Sequence, residues 1–167
     1  MSGRGATAWI LLFAVLVGAA FGRDLLAGAP GGGSSGPRTV PVVRVVDGDT
    51  IRVRVGGVEE PVRYIGIDTP ETKHGVECFG AAAAARNRAL VDGRRVTLRF
   101  DAERRDRYGR LLAYVHRGRT FVNAALVRGG YARTLTIPPN TGHTARLARL
   151  EDRARARGAG LWRRCRT

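Results

Sequence analysis

Residues 40–67, VPVVRVVDGDTIRVRVGGVEEPVRYIGI, hold the stretch on which the fold turns. Three β-branched runs, 40–46, 51–55 and 58–67, alternate apolar with polar residues and are broken by Asp47-Gly48-Asp49 and Gly56-Gly57. Period-two alternation between turn residues predicts antiparallel strands joined as a meander.

Outward from that meander, residues 79–90 carry five consecutive alanines, then Asn87, Arg88 and Leu90, before Asp92-Gly93. Straight-chain residues and alanine lose little freedom in a helix, so this segment is predicted helical. Residues 94–100 and 110–115 return to strand character. A short helix over 123–128 is closed by Gly129-Gly130, and a longer one over 144–157 by Gly158. In the longer helix Leu147, Leu150 and Ala154 form the apolar stripe, with Arg146, Arg149, Arg153 and Arg157 along another face. About five short strands interleaved with three helices predict an α+β protein, a small five-stranded β-barrel of the OB type with helices packed around it.

Upstream, residues 6–22 form an apolar run behind Arg4, with Val17-Gly18-Ala19-Ala20 as a small-residue cleavage region. Residues 1–26 are therefore expected to be a signal peptide or an N-terminal membrane anchor, and either reading places the remainder secreted or at the outer face of the membrane. Residues 27–37, AGAPGGGSSGP, have too few apolar side chains to fold and are expected to be a flexible linker. The folded domain is then 38–167, enough chain for one core.

The chain carries 29 Lys+Arg against 14 Asp+Glu, a net charge of +15 that favours a polyanionic partner. Lys73 is the single lysine, so the arginine excess is equally a compositional habit and names no substrate by itself. Two cysteines and three scattered histidines cannot build a Cys/His zinc cluster, and no Gly-rich phosphate loop follows a strand. Zinc and nucleotide cofactors are not expected.

Against this basic background Asp49, Asp68 and Glu71 stand at strand ends. Pro70 biases Thr69 toward extended backbone, from which its carbonyl can point outward. Two carboxylates, one carbonyl and water suit a hard cation such as calcium, although DGDT taken alone is also an ordinary Asx-turn string. Arg63 and Arg110 offer planar paired donors that match phosphate oxygens, the alternative for each being a solvated surface charge. Arg63 and Asp68 are five positions apart, which puts them on opposite faces of a straight strand. A bulge or bend near Gly66 is required to unite them.

The segment VRVVDGDTIRVRVGGVEEPVRYIGIDTPE (43–71), then TKHGVE (72–77), DRYGRLLAY (106–114), VNAALVRGG (122–130) and GLW (160–162), resembles the staphylococcal nuclease family in order and spacing. The resemblance implies an OB-fold, calcium-dependent endonuclease that hydrolyses DNA and RNA and leaves 3′-phosphate ends. It implies Asp49, Asp68 and the Thr69 carbonyl as calcium ligands, with Asp47 behind them. Glu71 matches the general base, Arg63 and Arg110 the phosphate-clamping arginines, Tyr108 a phosphate-binding tyrosine and Arg107 its basic neighbour. DNA and RNA are the implied partners and a monomer the expected state, with membrane attachment through 6–22 if the leader is retained. The alternative is a non-catalytic OB-fold module that binds nucleic acid or the cell envelope.

Two departures qualify the resemblance. Leu135 and Ile137 stand where the family has tyrosines, one of them a base-stacking ring, and the loop after His74 is about three residues shorter. Cys78 and Cys165 form the second: in an exported chain such a pair is expected to close a disulfide across 87 residues, the alternative being two unpaired thiols.

Overall fold

The structure, a computed structural model, describes residues 36–72 and 75–165. The leader expected at 1–26, most of the linker expected at 27–37, and Lys73 and His74 lie outside the described residues. Among the described residues no helix is long and apolar enough to cross a membrane.

The strands β1 (Arg38–Val45), β2 (Thr50–Val55) and β3 (Val58–Tyr64) form the predicted meander. Alternation does the sorting in β2, where Ile51 and Val53 point into the core while Arg54 faces solvent. Val55 pairs with Val58 across Gly56-Gly57, a two-residue hairpin. After β4 (Ile67–Asp68) and the helix α1 (Gly80–Val91) come β5 (Arg95–Arg99), β6 (Leu111–Arg117), β7 (Thr120–Phe121), the helix α2 (Val122–Arg128), β8 (Arg133–Thr134), the helix α3 (Thr144–Ala156) and a single turn, α4 (Leu161–Arg164). The sheet runs β3-β2-β1-β5-β6, and a parallel pairing of β3 with β6 closes those five strands into a barrel. Closure removes the free edges that an open sheet of this size would expose.

Ile51, Val53, Val62, Val96, Leu98 and Val115 fill the interior, and the helices seal its open sides. In α1, Ala83, Ala84, Asn87, Leu90 and Val91 are buried, a 3.6-residue periodicity in which Asn87 is the polar exception. The predicted stripe of α3 holds at Leu147 and Ala154, which are buried, and at Leu150, which packs partly against the core. Arg146, Arg149, Arg153 and Arg157 are exposed.

The strand expected over 58–67 is interrupted. β3 ends at Tyr64, Gly66 takes φ 78°, and the chain resumes as β4 paired with β8. A left-handed φ is costly for other residues and open to glycine. Three polar groups of the bend are paired across it: the Ile65 amide donates to the Ala113 carbonyl (3.0 Å), the Leu135 amide to the Gly66 carbonyl (3.1 Å), and the side-chain amide of buried Asn123 to the Ile65 carbonyl (2.8 Å). This is the bend that the separation of Arg63 and Asp68 demands.

Candidate active site

At the mouth of the barrel, the turn after β1 and the bend after β3 meet. Asp49 is buried there, and its Oδ2 accepts both the Thr69 amide (2.7 Å) and the Thr69 hydroxyl (2.9 Å). Its Oδ1 accepts the Thr50 hydroxyl (3.2 Å) and lies 3.2 Å from Arg63 Nε. Arg63 reaches across the bend to donate to the Tyr64 carbonyl (2.8 Å), the Ile67 carbonyl (2.7 Å) and Asp68 Oδ1 (2.7 Å). Two carboxylates distant in sequence are thus tied to one guanidinium. The turn approaches closely enough that a Cβ on Gly48 would lie 2.5 Å from Thr69 Oγ1, so glycine is required there by space.

Burial pushes the Asp49 carboxyl up to about 6, with Asp47 acting the same way and the Arg63 guanidinium and Thr69 hydrogen bonds acting against them. The local balance is three aspartates, Asp47, Asp49 and Asp68, around one arginine. In a chain with a net charge of +15, that negative excess is an exception.

The family implied by the resemblance calls for a metal ion, and the donors present fit a hard one. All are oxygen, the excess charge is negative, and the Asp68 side chain is 54% exposed with one oxygen free of protein partners. Among the described residues no three His, Cys, Asp or Glu side chains converge as a ready-made cluster. A cation held here would therefore draw on backbone carbonyl and water as well, as hydrated hard cations do.

Arg110 directly precedes β6, two residues before Leu112, the position in register with Arg63 across the parallel seam. A turn built on Asp106 holds it: Asp106 Oδ1 accepts the amides of Tyr108 (3.0 Å) and Arg110 (2.9 Å), and Oδ2 accepts Arg110 Nε (2.6 Å). Burial acts to raise the Asp106 carboxyl, but the Arg110 hydrogen bonds and charge outweigh it and hold it below the usual range. The turn is fastened to β3 by Arg105, whose two terminal nitrogens donate to the two Glu60 oxygens (2.9 Å each). Tyr108 is 68% exposed, and its hydroxyl accepts from Arg107 (2.6 Å). Leu135 and Ile137 are exposed as well.

Glu71 lies beyond the Thr69-Pro70 corner with its side chain exposed. Its backbone is held by Glu77: the Glu71 amide donates to Glu77 Oε2 (3.2 Å), and the Glu71 carbonyl accepts the Glu77 amide (3.0 Å). The Cys78–Cys165 disulfide is formed, with an S–S length of 2.04 Å and Cα atoms 5.7 Å apart.

Of the predicted residues, Asp49, Arg63, Asp68 and Thr69 are in direct contact. Arg110, Tyr108 and Arg107 share the neighbouring turn, and Glu71 stands apart on its own strap. Three positioning residues were not singled out from sequence. Asp106 had a signal, its i,i+4 spacing from Arg110. Glu77 and Asn87 had none, although Asn87 accepts the Tyr64 hydroxyl (3.0 Å) and donates to the Asp47 carbonyl (3.0 Å), tying α1 to the acidic turn.

A closed OB-type barrel with an acid-and-arginine corner at its mouth defines a class of site suited to a phosphodiester and a hard cation. The sequence model of the Staphylococcal nuclease homologue family matches residues 61–164, and the chain belongs to that family, a class of nucleases. It is similar to a SPbeta prophage-derived endonuclease, YokF, of Bacillus subtilis (strain 168), at 41% identity over 128 residues, 74% of this chain and 43% of that protein. It is 38% identical over 126 residues to a thermonuclease of Staphylococcus intermedius, covering 74% of this chain and 75% of the other. Endonuclease YncB of Bacillus subtilis (strain 168) is 39% identical over 128 residues, 74% of this chain and 61% of that protein. The match thus spans less than half of the prophage endonuclease.

Proposed function

We propose that the chain is a calcium-dependent endonuclease that hydrolyses phosphodiester bonds in DNA and RNA and leaves 3′-phosphate ends. It acts as a monomer, with 38–167 as the catalytic domain, secreted or held at the outer face of the membrane through its leader. One observation carries the reading: Asp49 and Asp68, distant in sequence, meet on the one guanidinium of Arg63.

In this reading Asp49, Asp68 and the Thr69 carbonyl hold the calcium ion, which when bound neutralises charge on the phosphate. Arg63 has five N–H hydrogens, of which three donate to protein and one faces Asp49, leaving one for a phosphate oxygen. Arg110 commits Nε to Asp106 and keeps both terminal nitrogens for substrate. Negative charge grows on the phosphate oxygens as water adds, so donors aimed there bind the transition state more tightly than the ground state. Glu71 takes the proton of the attacking water as its oxygen bonds to phosphorus; the bond from phosphorus to the 5′-oxygen breaks, and that oxygen takes a proton from solvent water. The Tyr108 hydroxyl accepts from Arg107, so its own hydrogen is free to donate to phosphate.

Exposed Leu135 and Ile137 provide no aromatic face, and losing one removes about 1 to 3 kcal/mol of stacking per base, so base preference is weak. The experiment is cleavage of heat-denatured DNA by the full chain with calcium and with a chelator. Cutting that requires calcium supports the proposal, whereas binding without cutting in both moves the weight to the non-catalytic module. Glu71→Gln lowers turnover far more than DNA affinity; equal losses would remove it as the base.

A further inference from the structure

The disulfide has a place in the molecule that general stapling does not explain. Cys78 directly follows Glu77, the residue that holds the Glu71 backbone from both sides. It directly precedes Phe79, the one non-glycine among the described residues with a left-handed φ, 73°. A bulky residue in that region is strained and persists only when its surroundings hold it. Here one side of the holding is the Phe79 ring stacked on Tyr131 (centroids 5.5 Å apart), and the other is the bond from Cys78 to Cys165 at the end of α4. The next amide, Gly80, donates back to the Glu77 carbonyl (3.1 Å) and starts α1. A cavity of about 390 Å³, lined by Asp68, Thr69, Pro70, Glu77 and both cysteines among others, separates the bond from the metal-binding corner. Cys78 is exposed, so a small reductant has access to it.

We propose that the Cys78–Cys165 bond is a redox latch that positions Glu71 through Glu77. The inference rests on the nuclease reading given above and deepens it. With the bond closed, the strained entry to α1 is fixed and Glu77 presents both its amide and its carboxylate to Glu71. A dithiol reductant opens the latch: two electrons and two protons convert the bond to two thiols while the reductant closes its own disulfide. The Phe79 backbone can then relax, Glu77 shifts with it, and Glu71 loses its fixed distance from the attacked phosphorus. The contacts that join Asp49 to Arg63 and to Thr69 use no residue of this segment and stay intact. The chain is thus fully active only where disulfides persist, and is held down in a reducing compartment.

The test compares the full chain as oxidised protein, after reduction by dithiothreitol, and as the Cys78→Ser and Cys165→Ser variants. Two readouts are taken: steady-state cleavage of denatured DNA with calcium, and amide hydrogen exchange at Glu71, Glu77 and Gly80. Opening the bond should lower kcat by between about tenfold and a hundredfold with little change in KM, the scale of a small misplacement of a catalytic group. Exchange at those amides should quicken while Ile51 and Val53 in the barrel stay protected. Glu77→Ala should reproduce the kcat loss with the disulfide intact. Unchanged kcat, or unchanged exchange at Glu71, overturns the latch. Loss of protection across the barrel overturns it as well, since the bond is then a general staple. If neither form cuts DNA, the nuclease reading fails, and exchange at Glu71 alone decides whether the bond holds that residue.

Discussion

The two arginines of the site differ in what surrounds them. Arg63 lies in a buried corner where three carbonyl or carboxylate oxygens accept its hydrogens and Asp49 faces its Nε. Arg110 stands half-buried on a surface turn, held at Nε by Asp106 and lying over the Tyr108 ring. Chemically alike groups thus have unlike duties. In the proposed reading the first chiefly holds the corner together, with one hydrogen left for substrate, and the second chiefly binds substrate.

The comparison is broken most directly by removing each arginine. Arg63→Ala leaves the Asp49 charge buried without its partner, which typically destabilises by about 3 to 5 kcal/mol, so the melting temperature and the activity fall together. Arg110→Ala should lower kcat/KM by roughly 10² to 10³, the worth of a donor to a developing oxyanion, with its melting curve nearly unmoved. Equal thermal losses in the two variants would refute the division of labour. Gly48→Ala probes the corner more gently. Its Cβ meets Thr69 Oγ1 at 2.5 Å, so it should cost about 1 to 3 kcal/mol in overpacking and shrink the thermal shift produced by added calcium. On the exposed turn, Tyr108→Phe should raise KM or lower kcat by about tenfold through one lost phosphate hydrogen bond, again without thermal cost.

The smallest effect comes from the far wall and serves as a control for both regions. His116 stacks on Phe121 and His143 packs edge-on to Tyr114. Burial, reinforced by Arg99 and Arg146, holds both imidazoles below their ordinary value, with the Tyr114 backbone opposing at His116 and Asp101 opposing at His143. A depressed imidazole favours the neutral form in the fold. Its contribution is therefore complete above the unfolded value near 6.5 and is lost as pH falls through the folded one. The histidine share of the melting temperature should decline between about pH 7.5 and 5.5, read as the difference between the wild type and His143→Gln, because Asp49, raised to about 6, titrates in the same window with the opposite sign. A pH response of the same size in that variant would place its origin elsewhere.

Much of the site was legible because its chemistry lies in short strings at turns. Asp49, Asp68, Arg63 and Arg110 each sit near a strand end marked by glycine or proline, and the five positions from Arg63 to Asp68 called for the bend that Gly66 makes. Asn87 and Asn123 were not legible. Both look like exposed helix residues in sequence, yet each is buried with its amide bonded to backbone up to 58 positions away. Glu77 is similar, since nothing in its neighbours announces that it would clamp Glu71.

The sequence by itself determined the strand meander, the helices, the acids and the arginines, because alternation, propensity and turn chemistry act over a few residues. Tertiary structure alone decided that Arg63 would be consumed by carbonyls, that buried asparagines would brace the bend, and that Glu77 would clamp the Glu71 backbone. Those outcomes depend on which distant polar groups are brought together when the barrel closes, and on each buried donor having to find an acceptor there.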